Sequence, residues 1–266
     1  EKQNNLFLGT NAGRENYSGY GNASLGKDTL MGNTSGFWNV ALGQGALKAN
    51  TVGSRNIAIG RVALQENTSG DRNIAIGTFA LCRSHGFRNI AVGADAAWYL
   101  ASGNHNIAVG TQAMGKATNA NFNTVIGDKA LKTAANVVEC NVIIGENAIP
   151  AATGAVDGNV IIGRNVCASE VSTESAVVIG NDALPYAARA SRSIIIGADA
   201  GRQKNAYNDV ICIGNFSEAT KAGQTVLGGY KTVETVVRGD FIVLGTDGVK
   251  RQIVFNADGT CAWTAV

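Results

Sequence analysis

A five-residue phrase, Asn-Ile-Ala-Ile-Gly, returns along this chain about every 17 residues. It stands intact at residues 56–60 and 73–77, and nearly so at 89–93 and 106–110. With its glycine as anchor, the series runs from Gly9 through Gly26, Gly43, Gly60 and Gly77 to Gly245, and ten of the fourteen gaps are 17 residues. A fixed period of this length builds a stack of like units, none able to bury a core alone, rather than a globular enzyme domain. The repeat therefore decides the fold class before any single residue is weighed.

Each unit reads in three parts. An apolar strand such as Ile57-Ala58-Ile59 or Val142-Ile143-Ile144 precedes the anchor. After it come two variable residues and a pair such as Ala46-Leu47, Ala63-Leu64 or Ala130-Leu131. A polar turn closes the unit, as in Asn33-Thr34-Ser35-Gly36 and Asn67-Thr68-Ser69-Gly70. Strands this short, broken by Gly and Asn at constant offsets, exclude helices. The expected fold is all-β: a parallel β-solenoid or β-roll of about 13 coils of 17 residues over positions 1–220. The anchor glycine is expected to supply positive φ or close backbone approach at a corner.

Four places before the anchor, asparagine recurs ten times running, including Asn39, Asn56, Asn73, Asn89, Asn106 and Asn123. Stacked in register, these amides are expected to form a structural hydrogen-bond ladder from coil to coil. A row of sugar-binding amides is the weaker alternative.

The residue two before the anchor is small from Ser24 to Ala108, then becomes Val125, Ile143, Ile161, Val178 and Ile195. Alternation sets it on the opposite face from Ile57 and Ile59. Both faces are thus apolar, whereas a single coil has only one interior. The expectation is an oligomer in which this middle residue reports on partner chains, with wider subunit contact beyond Val125.

Charged residues are only 16% of the chain, against roughly 25% in ordinary globular proteins, which suits thin coils with few charged faces. The formal charge of +2 points to no particular partner, and no nucleic acid, cofactor or metal is expected. No apolar run is long enough for a membrane-spanning helix. The five cysteines are odd in number and lack CxxC spacing, so a reducing compartment of assembly is expected. Cys212, in a strand position where other repeats carry Ile or Val, reads as a small buried hydrophobe. The chain begins at Glu1 rather than Met, as a piece of a longer protein would.

Asp95, Asp182 and Asp199 share one offset, two past the anchor, which suggests a solvated corner rather than the paired carboxylates of a glycosidase. The two histidines, His85 and His105, are 20 residues apart and out of repeat phase, a poor basis for a metal site or triad. One acyltransferase-like hexad per coil falls short of the three that such a fold requires. The threonines are too irregular for an ice-binding array. No enzyme activity is expected.

The series 39–53, Asn-Val-Ala-Leu-Gly-Gln-Gly-Ala-Leu-Lys-Ala-Asn-Thr-Val-Gly, resembles the repeat arrays of bacteriophage tail fibres. It is also similar to the head repeats of trimeric autotransporter adhesins, which build a left-handed parallel β-roll. The resemblance covers roughly residues 4–217. It implies a left-handed solenoid, a homotrimer, and attachment of a virion to a bacterial surface polysaccharide, lipopolysaccharide or outer-membrane protein. The adhesins differ in repeat length, and free cysteines suit a virion part assembled in bacterial cytoplasm better than an exported chain. The alternatives, in order, are an adhesin head and a glycan-depolymerising tailspike.

Residues 221–266 read differently. Strands are expected at 236–244, 251–255 and 261–266, joined by Asp-Gly turns at 247–248 and 258–259, giving a small C-terminal β-meander cap. In the resembling fibres a self-cleaving C-terminal chaperone follows such a region, which the end at Val266 would accommodate.

One row is the candidate site. Five places before successive anchors stand Trp38, Arg55, Arg72, Arg88, His105 and Phe122. In register they form a column of cations flanked by aromatics, at about 4.8 Å per coil. Stacked guanidiniums repel unless an anion offsets them, which would suit an acidic or phosphorylated glycan. The competing reading is a solubilising corner paired with Asp71 or Glu66. Trp98-Tyr99 and Trp263 are further aromatic candidates for sugar stacking, against a role in trimer core or cap packing.

Overall fold

The computed structural model describes residues 4–134, 138–167, 171–186, 190–202 and 208–229, together with the backbone of strands Ile242–Leu244, Lys250–Phe255 and Cys261–Ala265. Among the described residues every regular element is a strand. The chain divides into two compact units, Glu1–Lys231 and Thr232–Val266.

The first unit is a parallel β-solenoid. Its main sheet has 14 strands stacked in chain order, from Leu6–Leu8 to Thr225–Leu227. Register follows the repeat: Ile57 pairs with Ile74, Ala58 with Ala75 and Ile59 with Ile76. The sheet runs past residue 220, one strand beyond the boundary expected from composition, with Thr225–Leu227 pairing in parallel with Ile211–Ile213. The second unit is an antiparallel three-stranded meander in chain order. Its two Asp-Gly turn positions lie outside the described residues.

Each anchor from Gly9 to Gly214 has φ between 117° and 146°. A Cβ on Gly60 would run into the carbonyl oxygen of Gly77, so this corner requires glycine twice over, for its φ and for the stacking distance. The coil then makes two left-handed steps with ordinary residues. Two past the anchor stand Asn11, Asp28, Val62, Phe79 and Asp95, with φ from 56° to 65°. Four past it stand Leu30, Leu47, Leu64, Leu81 and Met114, with φ from 46° to 51°. That conformation costs roughly 1–2 kcal/mol for an L residue. Complete burial of each leucine returns about 1.5–3 kcal/mol, and coil-to-coil bonds such as Leu47 N–H to Ala63 O at 3.0 Å hold the backbone there. Burial wins, so leucine can occupy a position that Gly13 and Gly201 fill elsewhere in the row.

The middle strand residue corrects an expectation. Ala41, Ala58, Ala75, Ile143, Ile161 and Ile195 are all fully buried within the one chain, and none faces a partner. The step from Ala108 to Val125 instead follows a widening of the coil. From Lys116–Ala117 onward a second parallel sheet of six strands forms, extending to Val171–Glu174. The polar corner gives way in the same region: Asn16, Asn33, Asn50 and Asn67 are succeeded by Ser84, Leu100, Ala117, Ala134 and Ala152. Where Leu100 enters the core, Ala97 replaces the leucine of its row, so the added volume is balanced nearby. Cys212, in the strand row, is fully buried.

The residues on either side of the middle one point outward. They form two apolar columns along the sheet, with exposures such as 61% at Leu8 and 38% at Ile76. Nothing among the described residues covers this face completely.

Candidate functional site

The candidate column lies where the polar turn hands over to the strand. Trp38, Arg55, Arg72, Arg88, His105 and Phe122 all adopt φ between 55° and 59°. Each backbone N–H donates to the preceding coil, as from Arg55 to Phe37 O at 2.9 Å and from Arg72 to Ser54 O at 3.0 Å. The left-handed step lets this residue face solvent while the next residue, an asparagine, turns into the core. Trp38 is 51% exposed and Phe122 is 60% exposed, whereas Asn39 and Asn123 are buried.

Those asparagines form a continuous ladder. Asn56 Oδ1 accepts the backbone N–H of Asn73 at 2.9 Å and its Nδ2 at 3.2 Å. Asn56 Nδ2 donates to Gly70 O at 2.8 Å. The same pattern runs through Asn39, Asn73, Asn89, Asn106 and Asn123, so these amides are occupied by the fold. A second ladder, absent from the expectations, links Asn16, Asn33, Asn50 and Asn67 side chain to side chain. Its signal was the asparagine that opens each Asn-Thr-x-Gly turn.

Within the candidate column the residues meet unevenly. The Arg55 guanidinium lies 5.0 Å from the Trp38 ring centre and 5.2 Å from that of Phe37. Phe37 in turn stacks on Tyr20 at 5.1 Å. Both belong to the neighbouring row, six before the anchor, which the sequence reading left out although Tyr20 and Phe37 are one repeat apart. At the other end, Arg88 Nη1 bonds His105 Nε2 at 3.1 Å and His105 stacks on Phe122 at 5.0 Å. Because the guanidinium can only donate, it selects the imidazole tautomer with its proton on Nδ1.

The two acidic partners considered for this column are engaged elsewhere. Asp71 Oδ1 accepts the Ser54 N–H at 2.7 Å, and Glu66 pairs with Arg83 at 3.6 Å. Among the described residues, the ion pairs are Arg14–Glu15, Arg83–Glu66, Lys129–Asp128, Arg192–Asp209 and Arg202–Asp199. None involves Arg55, Arg72 or Arg88. The same row does carry a paired arginine further along: Arg192 grips Asp209 and holds its carboxyl below the usual range. A shallow hollow of about 250 Å³ between Asp71, Arg72, Phe87, Arg88 and His105 opens beside the cations.

The other residues singled out are scattered. Asp95, Asp182 and Asp199 sit at a different corner with φ between 51° and 56°. Asp182 accepts from Asn165 at 3.1 Å, and Asp199 is held by Arg202 at 3.0 Å. His85 is exposed on the turn, and the described residues contain no cluster of three His, Cys, Asp or Glu able to hold a metal ion. Cys82, Cys140, Cys167 and Cys212 are free thiols, and burial pushes the Cys167 thiol up to about 12. Trp98 and Tyr99 are half-buried neighbours at 5.5 Å. Trp263 falls on the Cys261–Ala265 strand, with its side chain outside the described residues.

No protein-family model matches this chain, and a search of curated proteins finds no similar sequence. No helix among the described residues is long and apolar enough to cross a membrane.

Proposed function

We propose that this chain is the structural and receptor-binding part of a bacteriophage tail fibre, attaching the virion to a bacterial surface glycan. The observation that carries the reading is the corner column. Three exposed guanidiniums stand in consecutive coils without a carboxylate partner among the described residues, between aromatic groups at both ends. A stacked backbone prevents them from moving apart, so their mutual repulsion is relieved best by an anion laid along the column. Acidic or phosphorylated polysaccharide, including lipopolysaccharide, has that chemistry. An outer-membrane protein is the other partner class.

Exposed charges bind weakly one at a time. Repetition along the column, and across several chains, supplies affinity through avidity. The two outward apolar columns support self-association, because parallel sheets are rarely left with one face in water. The number three comes from the resemblance to trimeric fibres. Assembly in the host cytoplasm suits a chain with four free thiols among its described residues. The reading assigns no catalytic step and no cofactor. A trimeric adhesin head would share the coil, but its export to an oxidising surface suits those thiols less.

Replacing Arg55, Arg72 and Arg88 together by Ser tests the site. Since exposed substitutions change stability by only about 0.5 kcal/mol each, the variant should fold. Binding to host cells should fall by roughly tenfold or more, the equivalent of about 1.4 kcal/mol. Wild-type protein should also bind poorly to cells stripped of capsule and lipopolysaccharide. Undiminished binding by the variant would leave the column a solubilising corner.

A further inference from the structure

A second corner carries a cavity that the attachment column does not use. Five past successive anchors stand Met31, Lys48, Gln65, Cys82, Trp98, Gly115 and Lys132, one per coil. Gly115 interrupts this row of side chains. The backbone does not demand glycine there, since Gly115 is not among the positive-φ residues. A Cβ would stand 3.2 Å from the carbonyl oxygens of Gln112 and Lys132, close enough that these would have to give by a few tenths of an ångström. What the glycine does is leave one coil of the row empty beside an indole ring.

The resulting cavity measures about 210 Å³ and is lined by Phe79, Asp95, Trp98, Gln112, Lys116 and Lys132. A second hollow continues past the indole to Tyr99, Thr118 and Thr133. The aromatic wall is held in place. Arg83 lies 5.4 Å from the Trp98 ring centre and 4.9 Å from that of Tyr99, and it is itself tethered to Glu66. Lys116 and Lys132, by contrast, enter none of the ion pairs among the described residues. Two ammonium groups against the single Asp95 carboxylate give the wall a net positive charge.

We infer that this cavity binds one pyranose unit bearing an anionic substituent. A pyranose offers a face of polarised C–H bonds to the electron-rich indole face. Its hydroxyls can donate to the Asp95 carboxylate and exchange hydrogen bonds with the Gln112 amide. The anionic group meets Lys116 or Lys132. A wholly apolar ligand would strip water from three charged groups and return nothing to them. An aromatic wall with a few convergent polar groups is the usual make-up of a small-molecule site. The inference deepens the attachment reading and rests on it only for the biological source of the sugar.

Saturation-transfer NMR on the purified chain tests it, with D-glucuronate, glucose 6-phosphate and glucose as probes and inorganic phosphate as a competitor. The ring protons of at least one charged sugar should receive saturation, and the stronger of the two identifies carboxylate or phosphate as the recognised anion. Glucose should bind at least about tenfold more weakly, the loss expected of a charge-assisted contact. Gly115→Leu, which fills the cavity, should abolish the signal. Should that variant fold poorly, the surface double variant K116Q/K132Q should bring the charged sugars down to the level of glucose. Absence of saturation from every sugar would overturn the inference. So would sugar binding that survives Gly115→Leu, or inorganic phosphate competing as strongly as a whole sugar. Each substitution leaves Arg55, Arg72 and Arg88 intact, so failure here is distinct from failure of the corner column, which is read by cell binding.

Discussion

Asn56 shows how much one side chain does in a coil of 17 residues. Its oxygen takes a backbone N–H and an amide N–H of Asn73, while its nitrogen serves the Gly70 carbonyl. Asn56→Ala would leave the buried Asn73 N–H without its acceptor, while the Gly70 carbonyl keeps the Asn67 amide at 3.1 Å. One unsatisfied buried group should cost about 1–3 kcal/mol, read as a lower denaturant midpoint. A loss under about 0.5 kcal/mol, the level of an ordinary surface change, would mean the ladder is dispensable. The asparagine row could be read from sequence because one residue type repeats at one offset. The left-handed positions could not. Leu47, Val62 and Arg55 oppose that conformation by intrinsic preference, and stacking holds them in it. Scattered glycines in the same rows, namely Gly13, Gly21, Gly45, Gly158, Gly201 and Gly223, were the hint of positive φ.

At the level of the element, the strand's middle residue measures the width of its own coil. In the narrow coils Ala75 is packed on every side, so Ala75→Ile should cost about 1–3 kcal/mol through overpacking. In the wide coils Ile143→Ala should cost about 2–5 kcal/mol by leaving a cavity. Thermal or denaturant unfolding of the two variants checks both. A neutral Ala75→Ile would contradict the narrow core. Alternation in the sequence disclosed two apolar faces but not which was inside, since hydrophobicity marks both. The deciding clue was size. A run of alanines from Ala41 to Ala108 reflects a packing limit, and the larger residues appear where strand pairs at Lys116–Ala117 and Ala120–Asn121 replace the asparagine corner. The second sheet itself was not readable, because its early strands are two residues long and carry no period of their own.

At the level of the whole molecule, three surfaces have distinct chemistry: outward apolar columns, a cationic corner and the Trp98 cavity. The last arises from a single glycine out of step with its row, which no periodic reading would select. The apolar columns carry the consequence for assembly. Ile57, Ile59, Ile74 and Ile76 line a parallel sheet on the side away from its own core, and a covering of like chains would remove them from water. Light scattering of the purified protein is the most direct check. The account predicts a mass three times that of the 27.4 kDa chain, lost when Ile59 and Ile76 are both replaced by Glu. A folded monomer of 27.4 kDa would contradict it.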